Sequence, residues 1–184
     1  MSDNNAVVAV YSTHQDALSA VNELRGAGFD MKRLSIIGKD FQSEQHVVGY
    51  YNAGDRVKYW GKLGALWGGR GGLLAGTAFF LIPGVGPVLI AGPLAAYIVS
   101  AVEGAVVVGG LSAIGGGLLS IGIPKNSILK YEAALKADKF LVIAHGTRDE
   151  VQHARDIIRR TKAADIGLHV TDAAETTSAG GATS

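Results

Sequence analysis

The five histidines of this 184-residue chain are of a type that could bind a metal ion. His14 and His145 each follow a predicted buried strand. If these two strands are adjacent and parallel in the sheet, both imidazoles lie at one edge and could share a metal ion or a ligand. The alternative is that both are polar residues in turns before helices. His46, His153 and His169 have no companion at the spacing of metal ligands.

Other patterns that would indicate a reaction are absent from the sequence. The segments Gly84–Gly86 and Gly68–Gly72 do not follow a predicted strand and lack the Lys-Ser/Thr pair of a phosphate-binding loop. No serine has the context of a nucleophile elbow. Since the chain has no cysteine, thiol nucleophiles, disulfides and thiolate metal sites are excluded. The sequence predicts no enzymatic activity, no metal and no cofactor.

Charge is distributed very unevenly along the chain. Between Gly71 and Pro124 the one charged residue is Glu103, and the other 32 of the 33 charged residues lie outside this block. A helix needs roughly 20 apolar residues to cross a bilayer, so the block is long enough for membrane insertion. The net charge of +1 gives no reason to expect binding of nucleic acid. Residues 1–5 are polar and lack a signal-peptide pattern, so we expect a cytoplasmic start.

The segments on either side of the block each have the pattern of a β-α-β unit, with short β-branched runs alternating with amphipathic helices. The first half comprises residues 1–50 and the second residues 125–172, where an extra short helix follows Pro124. Two such units form a four-stranded ferredoxin-like sheet with helices on one face. The predicted class is therefore α+β, and residues 173–184 are predicted to be a disordered tail.

Residues 51–124 are predicted to form an apolar, glycine-rich helical hairpin inserted between the two halves. Its arms are Arg56–Ile82 and Val88–Gly122, because a continuous helix does not tolerate the intervening turn residues. These turn residues are Pro83, Gly84, Gly86 and Pro87. The two halves of the sheet must lie on one side of any membrane, so the hairpin crosses an even number of times or dips in and returns. Basic residues near both ends place that side in the cytoplasm.

Small residues recur at intervals of four along both predicted arms. This spacing puts them on one face of each helix, where backbones can approach closely. The contact is either between the two arms of one hairpin or between subunits. Contact between subunits predicts a homo-oligomer. The residues are Gly64, Gly68, Gly72 and Gly76 on the first arm and Ala101, Ala105, Gly109, Ala113 and Gly117 on the second.

Arg70 and Glu103 are the charges nearest the apolar tip. Counted from the turn at 1.5 Å per residue, they lie at depths of roughly 18 and 22 Å. A matching depth allows an intramembrane ion pair, which costs less than two separate charges in lipid. In the alternative, each reaches the interface separately and the apolar tip is too short to span.

Four stretches of the sequence resemble the bacterial general stress or heat-induced stress protein family. They are residues 49–69, 78–94, 103–125 and 134–146, and the resemblance extends over about residues 6–162. It implies stress-linked expression and membrane association, and it implies no reaction and no catalytic residues.

Together these observations predict a non-enzymatic, stress-associated protein of the cell inner membrane whose soluble domain is cytoplasmic. Its expected partners are the lipid bilayer and further copies of itself. The alternative is a cytoplasmic homo-oligomeric assembly in which the hairpins bury one another without lipid. A channel or transporter component is a further alternative, for which Arg70 and Glu103 are the intramembrane candidates.

Overall fold

The computed structural model describes residues 4–39, 77–82, 85–103 and 112–170. Within these ranges, six strands form one sheet and five α-helices cover it. The strands are β1 (Asn5–Tyr11), β2 (Leu34–Lys39), β3 (Thr77–Ile82), β4 (Gly86–Ala91), β5 (Phe140–Gly146) and β6 (Asp165–His169). The helices are α1 (His14–Gly26), α2 (Leu94–Glu103), α3 (Ala113–Ser120), α4 (Lys125–Lys136) and α5 (Arg148–Ile158).

Local sequence signals explain the helices of the two flanking segments. Thr13 caps α1 by accepting a hydrogen bond from the backbone of Asp16, and Gly28 ends that turn with a φ of +83°. Thr147 and Glu150 form a complete capping box at the start of α5. Both helices bury an apolar stripe against the sheet, as their spacing predicts.

The strand order is β3-β4-β2-β5-β1-β6, and every neighbouring pair is antiparallel. Strand β5 from the second half of the chain lies between β1 and β2 from the first half, with Val142 opposite both Ala9 and Ile36. The prediction of a mixed α and β chain in which both halves build one sheet is confirmed.

Helices lie on both faces of this sheet, so the prediction of helices on one face is wrong. On one face, α1 and α5 pack against side chains such as Tyr11 and Val142. On the other face, α2, α3 and α4 pack against side chains such as Val8 and Ile143. The physical reason is that all seven residues of β1 are buried, and a strand that is apolar on both sides needs cover on both.

The predicted helical hairpin is instead a β-hairpin where its turn is described. Strands β3 and β4 are antiparallel, with Thr77 opposite Ala91 and Ile82 opposite Gly86. Phe, Val, Ile and Thr on either side of the turn favour strands, and β4 gains a second partner in β2. The prediction that Arg56–Ile82 is helical is therefore wrong for residues 77–82, and residues 56–76 lie outside the described part of the chain.

The second predicted arm, Val88–Gly122, is also not one helix. It comprises the end of β4, then α2 and α3, which pack against each other. Gly117 of α3 touches Ile98 of α2, whereas a continuous helix would separate these residues by about 28 Å. Gly92, with a φ of +106°, and Pro93 direct the chain out of β4 and into α2.

Within the described residues, no helix combines the length and the apolar character that a membrane crossing requires. The two helices of the apolar block, α2 and α3, have 10 and 8 residues.

Candidate functional site

The position of α2 is fixed by a buried serine in β2. The Ser35 hydroxyl accepts a hydrogen bond from the backbone N–H of Leu94 at 3.1 Å, and Ser35 is fully buried. Gly92 approaches the same strand so closely that a β-carbon there would overlap Leu34 and Ser35. The start of α2 is therefore held directly over β2.

Helices α2, α3 and α4 form a continuous layer. Gly117 lets α3 approach Ile98 of α2, and Ser112 caps α3 by accepting from the backbone of Gly115 at 3.1 Å. The same Ser112 hydroxyl donates to the carboxylate of Glu132 on α4. One serine thus caps a helix and ties it to its neighbour.

The inner side of this layer is apolar and buried, whereas the exposed side chains of residues 94–100 in α2 and of α3 carry no charge. Leu94, Ile98, Ile114 and Leu118 face the sheet. No charged residue occurs in 94–100 or 112–120, and three large apolar side chains are exposed here by 38 to 40%. We define the α2–α3 outer face as the exposed residues Ala96, Tyr97, Val99, Ser100, Leu119 and Ser120.

A polar cluster centred on Glu150 joins the starts of β2 and α5. The Oε2 atom of Glu150 accepts hydrogen bonds from the backbone N–H of Thr147 at 2.8 Å, the Thr147 hydroxyl at 2.9 Å and Arg33 Nη1 at 2.6 Å. The backbone hydrogen bond from Thr147 is the main cause that lowers the pKa of Glu150, and the charges of Arg33 and His145 add to it. These contacts fix the helix start to the sheet.

A second cluster holds β6 against α4. The Tyr131 hydroxyl lies 2.7 Å from Nε2 of His169, and Lys130 Nζ lies 2.6 Å from Oδ2 of Asp165. Burial raises the pKa of Tyr131 to about 12, with a further contribution from Asp165. Burial also lowers the pKa of His169, and the charge of Lys130 adds to this shift.

His14 and His145, the two histidines predicted to share a site, lie at opposite edges of the sheet. Since β1 and β5 are antiparallel, with Tyr11 opposite Phe140, the predicted common edge is wrong. The His14 ring contacts Phe140 at 5.3 Å between centroids, and the His145 ring contacts Tyr97 at 6.0 Å. Within the described ranges, no three His, Cys, Asp or Glu residues are grouped so that they could hold a metal ion.

The structure describes only part of the predicted small-residue faces and ion pair. Ala101 and Glu103 belong to α2, Ala113 is the first residue of α3, and Gly117 forms the contact with Ile98. The remaining calls lie outside the described residues: Gly64, Gly68, Gly72, Gly76, Ala105, Gly109 and Arg70.

The predicted turn residues fall at the tip of the β-hairpin. Gly86 and Pro87 are the first two residues of β4, and Gly86 has a φ of +97°, which favours glycine. Pro83 and Gly84 lie outside the described part of the chain. The chain therefore reverses direction between Ile82 and Gly86, although strands and not helices enter and leave the turn.

Sequence reasoning missed the α2–α3 outer face because it treated the whole apolar block as membrane hairpin. A signal was available in Gly92-Pro93, a pair that ends a strand and permits a helix start. A second signal was Ser112, a preferred capping residue directly before Ala113.

Comparison with known proteins gives one match. The family model described as the heat induced stress protein YflT domain matches residues 6–78, which include β1, α1 and β2. No curated protein and no solved structure shows significant similarity to the chain. The resemblance to the heat-induced stress proteins is therefore confirmed over residues 6–78.

Proposed function

We propose that the chain is a non-enzymatic, stress-associated protein that acts by binding further copies of itself through the α2–α3 outer face. The stress association rests on the YflT domain match. The self-association rests on one observation, the absence of charge from residues 94–100 of α2 and from α3, where Tyr97, Val99 and Leu119 are exposed.

The exposed residues of the outer face belong to two helices that contact each other. The contact is between Ile98 of α2 and Gly117 of α3, and Tyr97, Val99 and Leu119 are exposed on the same two helices. Single exposed apolar residues are ordinary on proteins, but a continuous uncharged patch is typical of an interaction surface. Burial of such a patch is favourable by about 25 cal/mol per Å² of apolar area.

The composition of the face favours a second copy over a charged partner. A charged protein or a nucleic acid would gain no ion pair here, whereas an identical face is apolar in the same places. Ala96, Ser100 and Ser120 are small enough to let two helix layers approach closely. A two-fold axis through the face would place the α2–α3 outer face of one copy against the same face of the other copy.

The helices on the other side of the sheet do not share this character. Helix α5 exposes Arg148, Asp149 and Asp156. This contrast supports the assignment of the interaction to α2 and α3.

We also propose that strands β1, β2, β5 and β6 form a ferredoxin-like unit. Their order of β2-β5-β1-β6, with α1 and α5 as the crossover helices, corresponds to two interleaved β-α-β units. The β-hairpin β3–β4 and the layer α2 to α4 are then an insertion that extends the sheet and covers its second face.

The absence of a reaction is part of the proposal. The residues of the polar clusters have structural roles: Glu150 caps α5, and Tyr131 and His169 join β6 to α4. Glu132 accepts from the serine that caps α3. No arrangement among these residues supplies a nucleophile together with a base that is free to act on it.

The test is sedimentation of the purified chain near neutral pH, without detergent, over a wide range of concentrations. We expect the wild type to associate and Val99→Lys and Leu119→Lys to remain monomeric, because a charge would be buried in the interface. Leu129→Lys is the matched control, since Leu129 is 63% exposed on α4 and lies outside the face. We expect it to associate like the wild type.

A bilayer is the main competing partner for the same surface, and flotation with neutral lipid vesicles distinguishes it. A wild type that stays monomeric at all concentrations, floats with vesicles and loses flotation in Val99→Lys would overturn the proposal. Equal association of all four proteins would also count against the outer face.

A further inference from the structure

Strand β6 is held less firmly than the strand it covers. All five of its residues are partly exposed, whereas all seven residues of β1 are buried. In the part of the chain that the structure describes, β6 is an edge strand that pairs with β1. An edge strand whose residues are all partly exposed is a candidate for local opening.

Polar side-chain contacts fasten β6 and the connection before it to the rest of the molecule. Tyr131 hydrogen-bonds His169 at 2.7 Å and Lys130 pairs with Asp165 at 2.6 Å. The connection before β6 is held by a 2.7 Å hydrogen bond between the hydroxyls of Tyr11 and Thr161. On its other side, β6 contributes partly buried apolar side chains to the α1 and α5 face.

Opening of β6 would expose the edge of β1. Residues Ala6–Tyr11 are β-branched, alanine or aromatic, and their backbone groups would lose the partners they now have on β6. Such an edge readily pairs with a strand from another chain. The strand that fits it best is another β6, since it offers the same pairing from Ala6 with His169 to Val10 with Asp165.

We propose that β6 is an exchangeable strand and that two copies of the chain associate by swapping it, each β6 pairing with the β1 of the other copy. Exchange of an identical element recreates every contact of the closed monomer, so its cost is low. The same Tyr131 and Lys130 contacts re-form between the chains. This interaction uses a different surface from the α2–α3 outer face and goes beyond the proposed function.

Acid is the expected trigger, because the contact of His169 depends on its protonation. Both partners of the hydrogen bond between Tyr131 and His169 are uncharged when His169 is neutral, whereas an imidazolium would place a charge in this partly buried contact, close to Lys130. The titratable groups that the described residues place around it are Tyr131 and Lys130 on α4 and Asp165 on β6. On β1 the residue opposite is Ala6. Protonation therefore weakens the contact between β6 and α4.

The absence of native cysteine allows a direct test. Ala9 and Ile166 lie opposite each other on β1 and β6, close enough for a disulfide after Ala9→Cys and Ile166→Cys. The reduced double variant is incubated at a series of acidic pH values, because the pKa of folded His169 lies below the ordinary imidazole value of about 6.5, and is then returned to neutral pH and oxidised. Swapped copies then give a covalent dimer on a non-reducing gel, and unswapped copies give a monomer.

We expect covalent dimer after acid incubation and covalent monomer without it. Oxidation before the acid step should lock β6 in place and prevent the dimer. Monomer alone after acid incubation would overturn the proposal, as would a dimer in solution whose disulfides are all within one chain.

Two variants test the role of the Tyr131 contact. We expect Tyr131→Phe, in the cysteine background, to form severalfold more covalent dimer at neutral pH. Thr13→Ala is the control, because it removes the cap of α1 without touching β6. Equal dimer from both variants would overturn the assigned role of Tyr131 and His169. Val99→Lys should leave the acid-induced dimer unchanged, because strand exchange does not use the α2–α3 outer face. Failure of the strand-exchange proposal is therefore distinguishable from failure of the proposed function.

Discussion

Gly117 lies so close to Ile98 that a β-carbon at position 117 would overlap the isoleucine side chain. Ile98 is fully buried against the sheet. This contact sets the distance between α2 and α3 and, with it, the shape of the α2–α3 outer face. A small residue of the apolar block therefore acts in helix packing within one chain.

Substitution of Gly117 by alanine should destabilise the protein. Alanine favours a helix over glycine by about 1 kcal/mol, but overpacking of a buried contact costs about 1 to 3 kcal/mol. We expect Gly117→Ala to lower the free energy of unfolding by about 1 kcal/mol, measured by urea denaturation. Gly26→Ala is the control, because a β-carbon there meets open space at the end of α1. A Gly117→Ala variant as stable as the wild type would refute the close contact.

The hydrogen bond from Leu94 to Ser35 should also be important for stability. Ser35→Ala leaves the Leu94 N–H buried without its acceptor, which costs about 1 to 3 kcal/mol. The loss should appear in thermal denaturation and as faster hydrogen exchange in the first turn of α2. Ser19→Ala, on the exposed side of α1, should change stability by no more than about 0.5 kcal/mol. Equal effects of the two substitutions would contradict the role of Ser35.

Much of the sheet could be predicted from the sequence because its signals are local. The apolar run from Ala6 to Tyr11 is too short for a helix, and Thr147 with Glu150 marks a helix start within four residues. These signals do not depend on distant parts of the chain. They place the two β-α-β units correctly in both halves.

The apolar block could not be predicted in this way. The runs before and after Pro83 are short, uncharged and compatible with either helix or strand. Their conformation depends on β4 pairing with β2, for example Ile90 with Ile37, a contact between residues that are far apart in sequence. On the second arm, the four-residue spacing predicts one continuous helix, whereas Ala101 belongs to α2 and Ala113 and Gly117 belong to α3.

Loss of the Glu150 charge should make stability less dependent on pH in the acid range. The pKa of Glu150 is lowered in the folded chain, so its stabilising effect is present above the unfolded value of about 4.3 and is lost as the pH falls through the folded value. Because the side chain is 40% exposed, we expect Glu150→Gln to cost no more than about 1 kcal/mol near neutral pH. The difference from the wild type should disappear at strongly acidic pH in urea titrations. A constant difference at all pH values would contradict this assignment.

Protonation of buried histidine should destabilise the chain between neutral and mildly acidic pH. Burial lowers the pKa of His14 below its ordinary value of about 6.5, so the unfolded chain binds a proton before the folded chain does. Stability should therefore fall as the pH drops below about 6.5 and stop changing once the pH is below the folded value. His14→Gln should reduce this slope in unfolding free energies measured at a series of pH values. His153→Gln, on the exposed side of α5, is the matched control and should retain the wild-type slope. An unchanged slope in His14→Gln would show that its burial against Phe140 does not govern proton uptake.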